Sequence, residues 1–503
     1  MAAVKDQFPI YIQNTNKREK ELFTPINDNF VGMYVCGPTV YGEPHLGNAR
    51  GALTFDVVYR YLMYMGFNVR YVRNITDVGH LENEVEDQGE DKIAKIAKLK
   101  QLEPMEVVQT YTIKYQEAME ALNVLRPSIE PTATGHIIEQ IEIVQKIVDK
   151  GFAYEQDGSV YFDMNEYLKK HDYGKLSGKV VDDLMGGSRE LDGQESKKSS
   201  MDFALWKAAK PEHIMKWPSP WGIGFPGWHL ECTAMSSKYL GVPFDIHGGG
   251  MDLQFPHHEG EIAQSQCAFD HEPANYWMHN NMLTINGKKM AKSKNNFVTI
   301  PELFAGDHEI LEQPYSPMTI RFFTLQSHYG STIDFSNEAL QAAEKGYKRL
   351  ANTYKTLNKL EQGEVNKVNV QLDKEINDLI DECYTHMSDD FNTARTIASM
   401  FDLSKKINDF EAKPSLVNKV NKETFDRLKS EFNGFFTDVL GLNIEVEASN
   451  KQLDGAMSML IKMRKEAKLN KDYALSDQIR DQLKEFGISL KDEKGGDMSY
   501  EID

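Results

Sequence analysis

The stretch from Gly32 to Val72 constrains the fold of this chain more than any other. A short apolar run, Gly32 to Cys36, is followed by the turn-forming Gly37-Pro38-Thr39, an apolar-periodic stretch from Asn48 to Met65 closed by Gly66, and a second apolar run, Val69 to Val72. Strand, loop, helix and strand in that order imply a parallel sheet with a right-handed crossover. Such sheets bind ligands at the carboxyl ends of their strands. Helical periodicity then takes over at Tyr111, Tyr115, Met119 and Leu122, and again from Ile137 to Val148. Short β-like pieces such as Val160 to Phe162, and a polar run from Gly186 to Ser200 that reads as an exposed loop, predict an inserted domain ending near Ser219. Strand signals return at Phe244 to His247 and Tyr276 to Leu283, so two halves of one Rossmann-like α/β sheet flank the insertion. Beyond Ile320 the stripe Leu340, Tyr347, Leu350, Tyr354 and Leu357 predicts an α-helical bundle. The acidic stretch Asn443 to Asn450 reads as a linker into a small C-terminal domain, with one helix from Gly455 to Phe486.

With 503 residues the chain has room for three or four such domains. Its four cysteines, Cys36, Cys232, Cys267 and Cys383, are too few for a disulfide scaffold, so a cytoplasmic location is expected. No run of apolar residues is long enough for a membrane span. A net charge of −19 argues against binding nucleic acid over the whole surface. A local track of Lys462, Arg464, Lys465, Lys468 and Lys471, against the single acid Glu466, leaves a place for an RNA partner.

Three groups of residues carry chemistry. Pro44-His45-Leu46-Gly47-Asn48 opens a helix, where backbone N–H groups and the positive dipole end favour phosphate. Gly47 permits close approach there, and His45 and Asn48 can donate to a phosphate as charge grows on it. Lys289-Met290-Ala291-Lys292-Ser293 follows a strand and a Gly287 turn, and its lysines can close over a triphosphate. The third group is cation-seeking. Cys36 ends the first strand, Trp228 and Cys232 lie four apart on one helix face, and so do His257 and Glu261, behind Pro256 at the first helical position. Two thiolates, an imidazole and a carboxylate suit tetrahedral zinc.

In sequence order the first two groups resemble the two signatures of class I aminoacyl-tRNA synthetases, with Ala291 where the second usually has serine. Cys-Gly-Pro-Thr-Val-Tyr, Gly-Trp-His-x-Glu-Cys and His-Gly-Gly-Gly-x-Asp-Leu-x-Phe-Pro-His-His-Glu, followed by the lysine loop, resemble the cysteinyl-tRNA synthetases over nearly the whole chain. The resemblance implies one zinc ion per chain, held by Cys36, Cys232, His257 and Glu261, with His258 and Glu259 beside them. It implies ATP, with Mg²⁺, bound by His45, Gly47, Asn48, Gly249, Asp252, Lys289, Lys292 and Ser293. It also implies a cysteine pocket lined by Gly37, Thr76 and Trp228, and catalysis by His45, Asn48, Lys289 and Lys292. Zinc would separate cysteine from serine, a pair a steric pocket distinguishes by only about 1–3 kcal/mol. Four protein ligands describe a closed site, so Glu261 is expected to loosen, or the coordination to expand, when substrate sulfur arrives.

The implied organisation is a catalytic domain split into 1–120 and 221–300, a connective insertion at 121–220, a stem-contact region at 301–345, a tRNA-binding bundle at 346–445 and an anticodon-recognition domain at 446–503. The implied partners are tRNA(Cys), cysteine and ATP, with no membrane, and a monomer is expected. A cysteine ligase that acylates an amino sugar would share the adenylate chemistry but would need neither the bundle nor the basic helix. A zinc-organised RNA-binding protein would not need His45, Asn48, Lys289 and Lys292. Cys267 and Cys383 read as structural, and His80 with the acidic run Glu82 to Asp91 as a solvated loop; the stretch Ala305 to Tyr315 carries no reading.

Overall fold

A computed structural model describes residues 4–79, 81–83, 88–180, 197–211, 213–290, 296–365, 367–445, 451–470, 472–492 and 498–502. Lys292 and Ser293, His80, residues 84–87 of the acidic run 82–91, most of the polar run 186–200, the end of the linker and Lys471 lie outside the described residues. The chain forms two compact units, Met1–Asn443 and Ile444–Asp503.

The first unit is built on four parallel strands: β1 (Phe30–Val35), β2 (Asn68–Arg73), β3 (Phe244–Gly250) and β4 (Ala274–Asn280), in the order β4-β3-β1-β2. Their registers place Val35 opposite both Arg73 and Gly248, and Gly250 opposite Asn280, so the carboxyl ends of all four strands meet on one edge. Between β1 and β2 runs helix α1 (Leu46–Tyr64), of which thirteen of nineteen residues are buried. Burial almost all round marks it as a central helix rather than a surface one. It starts at His45 and ends at Met65, where Gly66 takes the left-handed conformation (φ 90°).

The interruption of the sheet contains a five-stranded antiparallel sheet, in the order Trp217–Ser219, Gly222–Pro226, Phe203–Ala208, Ser159–Phe162, Ala153–Gln156. The strand Gly222–Pro226 runs directly into α2 (Trp228–Leu240), and α3 (His257–Phe269) follows β3. Phe162 and Trp206 of the inserted sheet share one apolar core with Ile143, Val144, Leu230 and Ala263, so the insertion braces both helices that carry the metal-binding candidates. Pro256 precedes the first residue of α3 instead of occupying it, in a helical conformation that sets the entry.

A buried ionic hub ties α1 to the helical half of this unit. Asp56 Oδ2 accepts from Arg60 Nε at 2.8 Å and from Arg321 Nη2 at 2.5 Å, while Oδ1 accepts from Leu125 N at 2.8 Å. Arg321, on α4 (Pro317–Leu325), also donates to the carbonyls of Leu122 and Asn123, each at 3.0 Å, and of Leu440 at 2.6 Å. Helices Asn337–Lys359, Val370–Ser388, Thr393–Ala412 and Lys422–Gly434 then pack as a bundle closed by a π turn, Phe435–Val439. The stretch 305–315 is anchored rather than loose: Tyr315 is buried, and its hydroxyl and Glu312 N both donate to Asn337 Oδ1 at 3.0 Å.

In the second unit, two helices, Lys451–Leu469 and Tyr473–Glu485, stand where the sequence reads as one, followed by the hairpin Ile488–Asp492/Met498–Ile502. The break falls where Asp472 accepts from Leu475 N and caps the second helix, a use of aspartate that competes with continuing the first. Within the basic track Lys462 is exposed, whereas Arg464 is 5% exposed and donates to Ser476 O across the two helices.

Candidate active site and metal cluster

A cleft of about 440 Å³ opens at the carboxyl edge of the parallel sheet, with Cys36, Arg73, His45, Gly249, Asp252 and Lys289 in its wall. His45 is the N-cap of α1: its Nδ1 accepts from Gly47 N at 3.1 Å, and its own backbone N–H donates to Asn48 Oδ1, also at 3.1 Å. Both residues therefore start the helix with one end of their side chains. Because Nδ1 is an acceptor, the proton of a neutral His45 sits on Nε2, and Asn48 keeps its amide nitrogen as donor. Gly47 and Asn48 line the same cleft. A Cβ at Gly249 would come within 2.7 Å of the His258 ring, so the strand end must be glycine for that ring to pack there. Lys289 is exposed on the short strand Lys288–Lys289, and Asn296 Nδ2 donates to its carbonyl at 3.2 Å, bringing the flanks of the lysine loop together.

Cys36, which lines the cleft, converges with the buried Cys232, His257 and Glu261. Sγ of Cys36 lies 3.6 Å from Sγ of Cys232 and 3.8 Å from Glu261 Oε1. His257 Nε2 lies 3.4 Å from Cys232 Sγ and 3.2 Å from Glu261 Oε1. Ligand atoms at usual zinc distances on a tetrahedron are separated by about 3.3–3.8 Å, so the donor set fits a metal ion of that kind. A second grouping, Cys36, His247, His258 and Glu261, also lies within metal-holding range. There, His247 Nε2 approaches Glu261 Oε2 to 2.8 Å, a hydrogen-bond distance shorter than two ligands of one ion adopt, so His247 orients the carboxylate. His258 is held from behind by His279 at 2.8 Å, which in turn reaches Thr15 Oγ1 at 2.9 Å. Glu259 points elsewhere, accepting from Ser177 N at 2.8 Å and Ser177 Oγ at 3.0 Å.

Burial pushes the Cys232 thiol up to about 12 and the Cys36 thiol well above the ordinary range. Burial also raises Glu261, against the pull of His247, and lowers His258 well below the usual imidazole value, with its histidine neighbours adding to the effect. Taken out of water, each donor resists becoming charged, and a cation among them reverses that preference for the thiols and the carboxylate.

Of the three residues expected around cysteine, Gly37 and Thr76 are joined through Asn74, whose Oδ1 accepts from Gly37 N at 2.8 Å and whose Nδ2 donates to Thr76 Oγ1 at 3.1 Å. Gly37 lines the cleft, and a Cβ there would meet Asn74 O at 1.6 Å, so no side chain is tolerated. The Thr76 hydroxyl is engaged below the cleft wall, donating to Glu231 Oε1 at 2.6 Å. Trp228 does not contribute to the cleft wall; its ring lies 4.4 Å from that of His257, against the metal-binding candidates. Sequence reading missed His247, His279, Arg73 and Asn280. His247 stands beside the glycine run Gly248 to Gly250, while Arg73 and Asn280 end parallel strands, a position that would have flagged both.

Residues 22–345 match the family described as tRNA synthetases class I (C) catalytic domain, and residues 382–445 match the DALR domain. The fold and the cleft are those of a class I tRNA synthetase. Cysteine--tRNA ligases from Cytophaga hutchinsonii (59% identical, covering 98% of this chain and 99% of that one), Bacteroides fragilis (56%, 98% and 99%) and Deinococcus radiodurans (47%, 97% and 96%) are similar along essentially their whole length. The chain belongs to the cysteine--tRNA ligase family. Among solved structures, Mycobacterium tuberculosis methionyl-tRNA synthetase with methionyl-adenylate has a TM-score of 0.54 at 15% identity, covering 82% of this chain and 89% of that one. An Agrobacterium radiobacter leucyl-tRNA synthetase in a ternary complex has a TM-score of 0.56 at 11% identity, covering 84% and 86%. Both show a shared fold. No helix among the described residues is long and apolar enough to cross a membrane.

Proposed function

We propose that this chain activates cysteine with ATP and passes it to the 3′ end of tRNA(Cys), as a monomer in the cytoplasm, with ATP entering as its magnesium complex. The observation that carries the reading is the convergence of Cys232, His257 and Glu261 on Cys36, which lines a cleft whose wall also holds His45 and Lys289. In the first step a carboxylate oxygen of cysteine attacks the α-phosphorus of ATP and pyrophosphate leaves. His45 Nε2–H, the Asn48 amide and the lysines Lys289 and Lys292 donate to the phosphate oxygens as charge builds, while Ser293, Gly47, Gly249 and Asp252 hold the nucleotide. In the second step a hydroxyl of the terminal ribose attacks the acyl carbon and AMP leaves. Gly37 lets the substrate backbone approach β1, and Trp228 and Thr76 keep the metal-binding side chains and Glu231 in place around the thiol.

Cys36, Cys232, His257 and Glu261 would hold zinc. When bound, zinc supplies a borderline-soft Lewis acid that favours sulfur over a hydroxyl oxygen. The units 346–445 and 446–503 are assigned to tRNA, the second through Lys462, Lys465 and Lys468.

The test is cysteine-dependent exchange of pyrophosphate into ATP by the purified protein, with serine as the competing substrate, followed by identification of the tRNA charged from a total pool. Exchange with cysteine and not serine, and charging of tRNA(Cys), is the expected result. Exchange without any preference for cysteine, or charging of another tRNA, would defeat the assignment. A truncation at Asn443 is expected to keep exchange and lose efficient aminoacylation.

A further inference from the structure

Arg73 ends β2 opposite Val35, one residue before Cys36, and lines the cleft. Its side chain is only 5% exposed. One guanidinium nitrogen, Nη2, donates to Glu130 Oε1 at 2.7 Å, and the other Glu130 oxygen accepts from Gln116 at 3.0 Å. The face of the Tyr115 ring lies 5.3 Å from the guanidinium carbon. Nε and Nη1, which together carry three N–H groups, are buried with no hydrogen-bond partner among the described residues. A buried charged donor left without an acceptor is costly, and in a ligand cleft it marks the place of an anion.

The order of the sheet decides which anion. Gly249 and Asn280 come from the ends of β3 and β4, and Lys289 from the short strand Lys288–Lys289, the second to follow β4 along the chain. Strands lie about 4.8 Å apart, so β2 stands about 10 Å from β3 and about 14 Å from β4, on the far side of β1 from the nucleotide groups. An anion reaching Arg73 therefore enters from the side away from the triphosphate. Resting on the synthetase reading, we propose that Arg73 binds a phosphodiester oxygen near the 3′ end of the incoming tRNA and so acts in the transfer step rather than in adenylate formation.

Two measurements separate the steps. Cysteine-dependent pyrophosphate exchange reports adenylate formation. Single-turnover transfer from enzyme-bound adenylate to tRNA reports the second step. In Arg73→Gln, exchange should stay within about twofold while transfer falls about 10- to 100-fold, the usual range for losing a charge-assisted contact. Arg73→Lys, which keeps the charge and the Glu130 pair, should recover part of the loss. On the wild-type enzyme, replacing the 3′-terminal phosphodiesters one at a time by neutral methylphosphonates should slow transfer at one linkage by a similar factor. That linkage should add nothing to the Arg73→Gln defect. Unchanged transfer in the variants, exchange that falls as far as transfer, or the absence of any sensitive linkage would each overturn the proposal. The methylphosphonate series decides the matter even if Arg73→Gln does not fold. Failure of the broader reading is distinct, since the wild type would then show no cysteine-dependent exchange at all.

Discussion

His247→Phe isolates a single hydrogen bond behind the metal cluster. His247 is fully buried, its ring stacked on Trp277 at 4.3 Å and 13°; among the described residues its Nε2 bonds Glu261 Oε2 at 2.8 Å and its Nδ1 has no partner. Phenylalanine keeps the stacking, removes the orphaned nitrogen and deletes the donor that fixes the carboxylate. Losing an outer partner of a metal ligand costs about 10–100-fold in affinity, or about 1.4–2.7 kcal/mol. The assay is zinc retention against a graded series of chelators, with cysteine-dependent pyrophosphate exchange measured on the same samples. His247→Gln can place an amide donor near the position of Nε2 and should hold affinity closer to the wild type. Zinc affinity within twofold of the wild type in His247→Phe would refute the view that His247 orients Glu261, and equal losses in both variants would trace the effect to packing instead.

Three further outcomes are expected from contacts of the same kind. His45→Asn preserves a capping side chain but removes the imidazole, so pyrophosphate exchange should fall about 10²–10³-fold while the denaturation midpoint stays close to the wild type. Asp56→Ala leaves the buried Arg321 and Arg60 without their shared carboxylate, and urea unfolding should show a loss of about 3–5 kcal/mol. Burial alone would lower His328, but its hydrogen bond and ion pair with Asp390, at 3.2 Å, raise it above 6.5. Protonated His328 therefore adds stability that is complete below about pH 6.5 and disappears as the pH rises through the raised value. The destabilisation caused by His328→Gln should be larger at pH 5.5 than at pH 8.5, read from denaturation midpoints at the two pH values.

The crossover from β1 through α1 to β2 is legible because local signals agree there: strand runs, a polar cap at His45 and Asn48, and Gly66 at the exit. The metal candidates are legible for a similar reason, since helical spacing of four fixes Trp228 with Cys232 and His257 with Glu261 before any fold is known. What the sequence hides depends on tertiary proximity. Nothing local to His247 indicates that it meets Glu261, and nothing in the motif containing Glu259 indicates that its carboxylate turns to Ser177. The C-terminal helix misreads for a local reason: apolar periodicity continues past Asn470, and only the capping of Leu475 N by Asp472 shows that a new helix begins. Arg464 carries the same lesson, because a basic residue in a charge run reads as solvated until a second helix is found against it.

The hub at Arg321 limits how this chain can be dissected. The match to the catalytic domain ends at residue 345, yet Arg321 within it spends one of its donors on the carbonyl of Leu440, 119 residues further along. A fragment that stopped at the family boundary would leave Arg321 Nε without its acceptor, although Asp56, Leu122 and Asn123 would still hold the rest of the guanidinium, and a chimaera carrying another enzyme's bundle would have to recreate that carbonyl. Catalytic half and helical half must therefore be inherited, or exchanged, as one piece.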